Sequence, residues 1–503
     1  MQYVDVIIIG AGISGTSMAY HLQSECPDKS YLVLEGRATP GGTWDLFRYP
    51  GIRSDSDMHT LGFRFRPWKE AKAIADGPSI LRYVTQAQSD YGINRNIRFG
   101  HRVVKASWST AQARWLLAVD TPEGRREFAC NFLSLCGGYY EYDRGHTPEF
   151  AGRDDFSGTV IHPQHWPEDL DYAGKRVLII GSGATAMTLV PAMADTAEHV
   201  TMLQRSPTYV VSRPAQDGIA NALRRFLPDT WAYALARIKN IGLGGWFYRR
   251  MRANPEKAKE RLIDMTRKQL PADYDIDTHF TPRYHPWDQR LCLLPDGDLF
   301  KALREERASI VTGGLERFTA TGVRLDDGRE LAADIIVTAT GLRLSVGNGI
   351  DFSVDGETLE YPDKLSYKGM MLSDVPNMVQ TFGYINASWT LRADLTSEYV
   401  CRLINALDEK GVQQVTPRLR AEDRDMPRRD WIEDFSAGYM RRDMHRLPKQ
   451  GDREPWLNTQ NFQADRKMIR HAPLEDGVLV FDNPPGMAAA TAVPEALDSA
   501  SAG

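Results

Sequence analysis

The 503-residue sequence predicts an α/β fold in which one strand–loop–helix domain is inserted in another. Three observations carry that expectation. Glycine-rich loops follow β-branched runs at residues 10–15 and 181–186. Each loop opens a stretch of helical spacing that leads to a further apolar run. Between and after the two units, "NFLSLCGGYY" (131–140) and "ADIIVTATGL" (333–342) read as buried strands closing on small-residue turns. They mark the crossings between an outer and an inner half.

The first unit opens at "VDVIII", residues 4–9, a parallel strand bounded by glycine. "GAGISG" follows, then "TSMAYHLQS" with helical spacing, then "SYLVLE" ending at Glu35. Gly10 allows the tight turn, Gly12 lets the backbone approach a pyrophosphate, and Gly15 permits close helix–strand packing. Ser14 lies inside the loop, and the helix N-terminus stabilises the phosphate charge. Glu35 stands where an acid accepts from a ribose hydroxyl.

The second unit is "KRVLIIGSGATAMTLVPAMAD", with Gly181, Ser182, Gly183, Ala184, Thr185 and Ala186 forming the loop. Its next strand, "HVTMLQ", ends at Arg205 and Ser206 rather than at an acid. A carboxylate repels a 2′-phosphate, whereas an arginine fork holds it. An acid in the first site and an arginine in the second predict FAD plus NADPH. The two units are thus Rossmann-like dinucleotide-binding domains. The expected FAD domain spans 1–144 and 336–487, and the expected NADPH domain spans 145–335. Residues of about 221–270 interrupt the alternation with basic, partly amphipathic helical sequence, read as a helical subdomain over the active site or a peripheral membrane contact. The tail at 488–503 is small, polar and expected to be disordered.

Composition narrows the function classes. A net charge of −5 gives no basic footprint for nucleic acid. Five cysteines without a CxxC pair argue against a disulfide framework, a zinc cluster or a disulfide reductase. Reduced thiols in the cytoplasm are expected. The N-terminus lacks a basic n-region, and no apolar run approaches the ~20 residues that span a bilayer. No metal site is expected: His162 and His165 are poorly spaced and lack a third ligand nearby. Oligomeric state is not legible.

Two further stretches carry a resemblance. "FSGTVIHPQHWP" has Phe156, Gly158, His162, Trp166 and Pro167 in an FxGxxxHxxxWP frame. "GGTWDLFRYPGIRSD" has Gly41, Gly42, Trp44, Tyr49, Pro50, Gly51 and Asp55 in a GGxW…YPG…D frame. With the glycine loops, these resemble the Baeyer–Villiger monooxygenases, a class of flavin-dependent monooxygenase. "FRYPGIRSDSDMHTLGFRFRPW" and "HPWDQRLCLLPDGDLF" further resemble the ethionamide-type branch, whose members oxidise thioamides.

The resemblance implies that NADPH reduces FAD, that O2 then gives a C4a-peroxyflavin, and that this attacks a ketone to give an ester or lactone. Oxidation of sulfides or thioamides is implied as a second activity. Arg290 matches the active-site arginine and Asp55 the acid that positions it. Thr43, Trp44, Asp45, Leu46 and Val103 are expected along FAD, and Arg53, Ser54 and Asp55 between flavin and nicotinamide. His162 and Trp166 are expected in the interdomain linker, coupling rotation to catalysis rather than touching substrate. Trp456 and Asn458 are weaker candidates for the pocket wall. Cys136 and Cys292 near the site are read as small apolar residues. The alternatives are a nitrogen or sulfur monooxygenase and a flavin redox module that transfers no oxygen.

Overall fold

The computed structural model describes residues 1–433 and 435–485. The expected disordered tail lies outside the described residues.

The chain begins with β1 (Gln2–Ile9), whose run of isoleucines is buried on both faces of a sheet. Strands β2 (Tyr31–Glu35) and β3 (Ile97–Phe99) follow on one side of it. On the other side lie β4 (Arg102–Ser109), β5 (Arg114–Thr121) and β6 (Gly124–Leu135). β6, β1, β2 and β3 are parallel neighbours in that order, whereas β4, β5 and β6 form an antiparallel meander. Three later strands complete this nine-stranded sheet: Asp351–Val354 and Glu357–Thr358 at one edge, and Met378–Gln380 beside β6.

The intervening chain builds a second sheet. It contains β7 (Thr159–Ile161), β8 (Arg176–Ile180), β9 (His199–Gln204), β10 (Ala308–Thr312) and β11 (Ile335–Thr338). All pairs are parallel, in the order β10-β9-β8-β11-β7. The residues of β8 and β11 are almost wholly apolar, as parallel strands covered on both faces require.

One expected boundary shifts. Residue 335 was expected to end the insertion, but it opens β11, which pairs with β7 and β8. The apolar register of Ile335–Val337 against Val177–Ile179 keeps this strand in the second sheet. The return to the first sheet therefore comes after Thr338, through the small residues Ala339–Gly341.

Two helices matter most for the site. α1 (Ile13–Glu25) follows β1, and α2 (Ala184–Met193) follows β8. Both start after a glycine whose lack of a side chain leaves the first-turn N–H groups without a side-chain cap. The basic stretch forms α3 (Gly218–Phe226), α4 (Asp229–Ala253) and a helix at Pro255–Arg267. α5 (Trp389–Lys410) packs along α1 and stops at Gly411, whose left-handed conformation favours glycine.

Candidate active site between two glycine loops

The ends of β1 and β8 open into one cavity of about 1070 Å³. Ligands of open α/β sheets bind at such carboxyl ends. The sequence places glycine where nothing larger fits. A Cβ on Gly10 (φ +103) would stand 2.8 Å from the Cys136 carbonyl, and one on Gly15 would stand 1.9 Å from the Gly10 carbonyl. Gly12 and Ser14 line the cavity, whereas Gly15 serves the helix–strand contact behind it. Ser14 accepts from the Trp389 indole at 2.8 Å.

Glu35 closes the end of β2. Its carboxylate accepts from the N–H groups of Ala11 at 2.8 Å and Arg37 at 2.9 Å. Burial pushes this carboxyl upward, against the lowering effect of those two bonds. The group lines the cavity and is fixed before any ribose arrives.

Residues 41–55 form the opposite wall. Thr43 and Trp44 face the cavity, and the Thr43 hydroxyl is hydrogen-bonded to that of Tyr140. Val103, Arg53, Ser54 and Asp55 also line it. Asp45 and Leu46 do not, contrary to expectation. Asp45 is buried, pairing with Arg37 and Arg48 at 2.7 Å each and accepting from Thr39 at 2.6 Å. It anchors the loop from behind. Leu46 lies in the same short helical turn and is absent from the wall.

From the second loop, Ser182, Gly183, Ala184 and Thr185 reach the same cavity. Gly181 (φ +136) leaves no room for a Cβ, which would meet the Ala339 carbonyl at 2.3 Å. Ala186 is buried in the core beneath. Arg205 and Ser206 lie exposed beyond β9, outside the cavity wall itself. Ser206 accepts from the Ser182 hydroxyl at 3.0 Å, which ties Arg205's segment to the loop.

Arg290 and Asp55 form an ion pair in the wall. Their side chains are 37% and 32% exposed, so the pair is reachable from the cavity. The carboxylate raises the guanidinium above its ordinary range and fixes it as a cation. Two phenols beside it were not anticipated. Tyr139 and Tyr439 line the cavity, and burial raises both above the ordinary phenol value. Tyr139 follows the "CGG" turn after β6, a signal present in the sequence, whereas nothing local marks Tyr439.

The weaker candidates fall elsewhere. Trp456 is fully buried in the core around α5 and donates to Asp423 at 3.1 Å. Asn458 binds the Trp431 carbonyl at 3.1 Å. Neither lines the cavity, because both brace the C-terminal loops from inside. Cys136 and Cys292 do line it, and burial pushes their thiols up to about 11 and about 12. They stay neutral and apolar in character. His162 is absent from the wall, and its Nε2 meets the Gly341 carbonyl at 3.2 Å. No group of three or more His, Cys, Asp or Glu able to hold a metal occurs among the described residues.

The residues present fit two dinucleotides. Two uncapped helix N-termini border one cavity, a Cβ added at Gly183 would meet nothing within 4 Å, and Arg53 Nη2 is buried without a hydrogen-bond partner. Arg53 Nη1 is held by Asp298.

Comparison with known proteins agrees. A model for flavin-binding monooxygenase-like proteins matches residues 74–255, and one for NAD(P)-binding Rossmann-like domains matches residues 8–76. The chain is 53% identical over 485 residues to the FAD-containing monooxygenase EthA of Mycobacterium tuberculosis, covering 96% of this chain and 99% of that protein. It is 46% identical over 483 residues to the probable FAD-binding monooxygenase AlmA of Acinetobacter baylyi, covering 96% of each. Among solved structures, an oxidised steroid monooxygenase bound to NADP superposes with a TM-score of 0.77 at 23% identity, over 96% of this chain and 100% of that one. An open cyclohexanone monooxygenase gives 0.69 at 23% identity, over 84% and 91%. These two likenesses establish the fold.

Proposed function

The chain belongs to the family of FAD-containing monooxygenases, and from that premise we propose that it converts ketones to esters or lactones. It is an NADPH-dependent flavin monooxygenase. The ketone reading rests on one observation: the Arg290–Asp55 pair stands in the wall of a single cavity that both glycine loops border.

The overall reaction takes a ketone, O2, NADPH and a proton to an ester, NADP+ and water. One oxygen atom enters between the carbonyl carbon and the migrating carbon, the other leaves as water, and NADPH supplies two electrons. Bound FAD supplies the electron relay between NADPH and O2. The chain's own residues do the rest. Gly10, Gly12 and the α1 N-terminus receive one pyrophosphate, and Glu35 accepts from its ribose. Gly183, Ala184, Thr185 and the α2 N-terminus receive the other, with Arg205 at the 2′-phosphate. Arg290 stabilises negative charge developing on the substrate oxygen, and Asp55 holds its guanidinium in place. Tyr139 and Tyr439 remain neutral and keep water from that charge.

A methyl ketone is the substrate class this reading favours, with sulfide oxidation as a second activity. Five buried free cysteines support a cytoplasmic setting. The test follows NADPH oxidation and hydrogen peroxide together, with and without 2-octanone or phenylacetone. Ketone should raise NADPH consumption while peroxide falls below stoichiometry. Peroxide equal to NADPH with every ketone would leave a redox module instead.

A further inference from the structure

α4 is apolar on two opposite faces. Its inner face is pinned: Tyr233 donates to the Phe63 carbonyl at 3.0 Å, and buried Arg237 donates to the carbonyls of His59 and Gly62 at 2.9 and 2.8 Å. Its outer face carries Trp231, Leu235, Ile238 and Trp246, spaced to share one helical stripe. Three of these are more than half exposed, Trp231 at 66%, Ile238 at 68% and Trp246 at 55%. The adjacent α3 adds Ile219 and Phe226, the latter 85% exposed. At Gly242, Gly244 and Gly245 an added Cβ would meet nothing within 4 Å. Among the described residues, none covers this face.

Its charge is as unusual as its apolar area. Residues 218–253 hold seven Lys and Arg against one Asp, in a chain of net charge −5. The single acid, Asp229, is already paired with Lys69 at 2.9 Å. Arg225, Arg249 and Arg250 are exposed and make no ion pair among the described residues. Exposed tryptophans beside free arginines suit a boundary that is apolar within and anionic at its rim.

We propose that the α3–α4 face docks this enzyme on an anionic lipid bilayer, with both helices lying along the surface. A second copy meeting face to face would set the same cationic patch against itself. No described helix is long and apolar enough to cross a membrane, so the contact is peripheral. Insertion of the apolar stripe supplies depth, and the arginines bind lipid phosphates.

The test is vesicle co-sedimentation of the full-length, FAD-loaded enzyme. Vesicles contain phosphatidylcholine alone or with phosphatidylglycerol, and flavin absorbance and NADPH oxidation in solution confirm that each variant is folded. The wild type should sediment with phosphatidylglycerol vesicles and not with neutral ones. Combined Arg225→Ala, Arg249→Ala and Arg250→Ala should weaken binding on the order of a hundredfold. Trp231→Ser with Trp246→Ser should abolish it. Equal sedimentation with both vesicle types, or unchanged binding by the variants, would overturn the proposal. Self-association in solution that the tryptophan variant abolishes, without vesicle binding by the wild type, would overturn it in favour of a second copy. Each readout is independent of which substrate is oxidised.

Discussion

Arg290 and Asp55 lie 235 residues apart and meet as an ion pair in the wall of the cavity between the two glycine loops. Asp55 comes from the loop after the "YPG" turn, and Arg290 from the loop just before the strand Cys292–Pro295, within the stretch between β7 and β11. The pair therefore joins both halves where both dinucleotides are proposed to meet.

Replacing Arg290 by Ala should leave FAD bound and NADPH able to reduce it, while ester formation falls about 100- to 1000-fold. Asp55→Asn should cause a smaller loss of the same kind, because the cation remains but is no longer held. Flavin spectra and product yield measured on the same samples check this. Full ester formation by Arg290→Ala would remove its catalytic role.

Arg205 stands exposed just beyond β9. Its charge should matter only for a cofactor bearing a 2′-phosphate. Arg205→Ala should raise KM for NADPH about tenfold or more and leave that for NADH almost unchanged, since hydrogen bonds to charged groups contribute roughly 1.5–3 kcal/mol. Equal effects on both cofactors would cancel the assignment.

Gly15→Ala tests the proposed FAD site through packing alone. The new methyl would lie 1.9 Å from the Gly10 carbonyl, so the loop must shift. The purified variant should lose bound flavin and about 1–3 kcal/mol of stability. Flavin content per chain and a thermal melt report the two effects separately.

His162, directly after β7, gives a pH test. Burial lowers the His162 pKa below the ordinary imidazole value, with nearby His165 and His146 adding to the effect. The unfolded chain then binds the proton more readily than the folded one. The contribution is full above about pH 6.5 and is lost as pH falls toward the lowered folded value. His162→Asn should flatten the loss of Tm between pH 7.5 and 5.5. An unchanged slope would show that this imidazole does not contribute.

The two glycine loops were legible because their requirements are local: a strand, a tight turn and a helix N-terminus fall within one short stretch. Glu35 was legible for the same reason. The cavity wall was not fully legible. Asp45 shares a helical turn with Trp44, yet one is tied into ion pairs behind the loop and the other faces the cavity. Sequence spacing alone does not separate those orientations. Trp456 looked suited to a pocket but fills the core around α5, since a large apolar ring satisfies either setting. Tyr439 reaches the wall only through long-range packing of the C-terminal segment, which leaves no periodic trace. β11 was placed at a boundary because its apolar run fits either sheet, and only its pairing with β7 and β8 decides.

The most direct measurement is product identity under labelled oxygen. The FAD-loaded enzyme receives NADPH, 18O2 and a mixture of 2-octanone, phenylacetone and a methyl aryl sulfide, and the products are weighed by mass spectrometry. The account predicts an ester from at least one ketone, carrying one 18O atom. Sulfoxide without any ester, or peroxide alone, would contradict it.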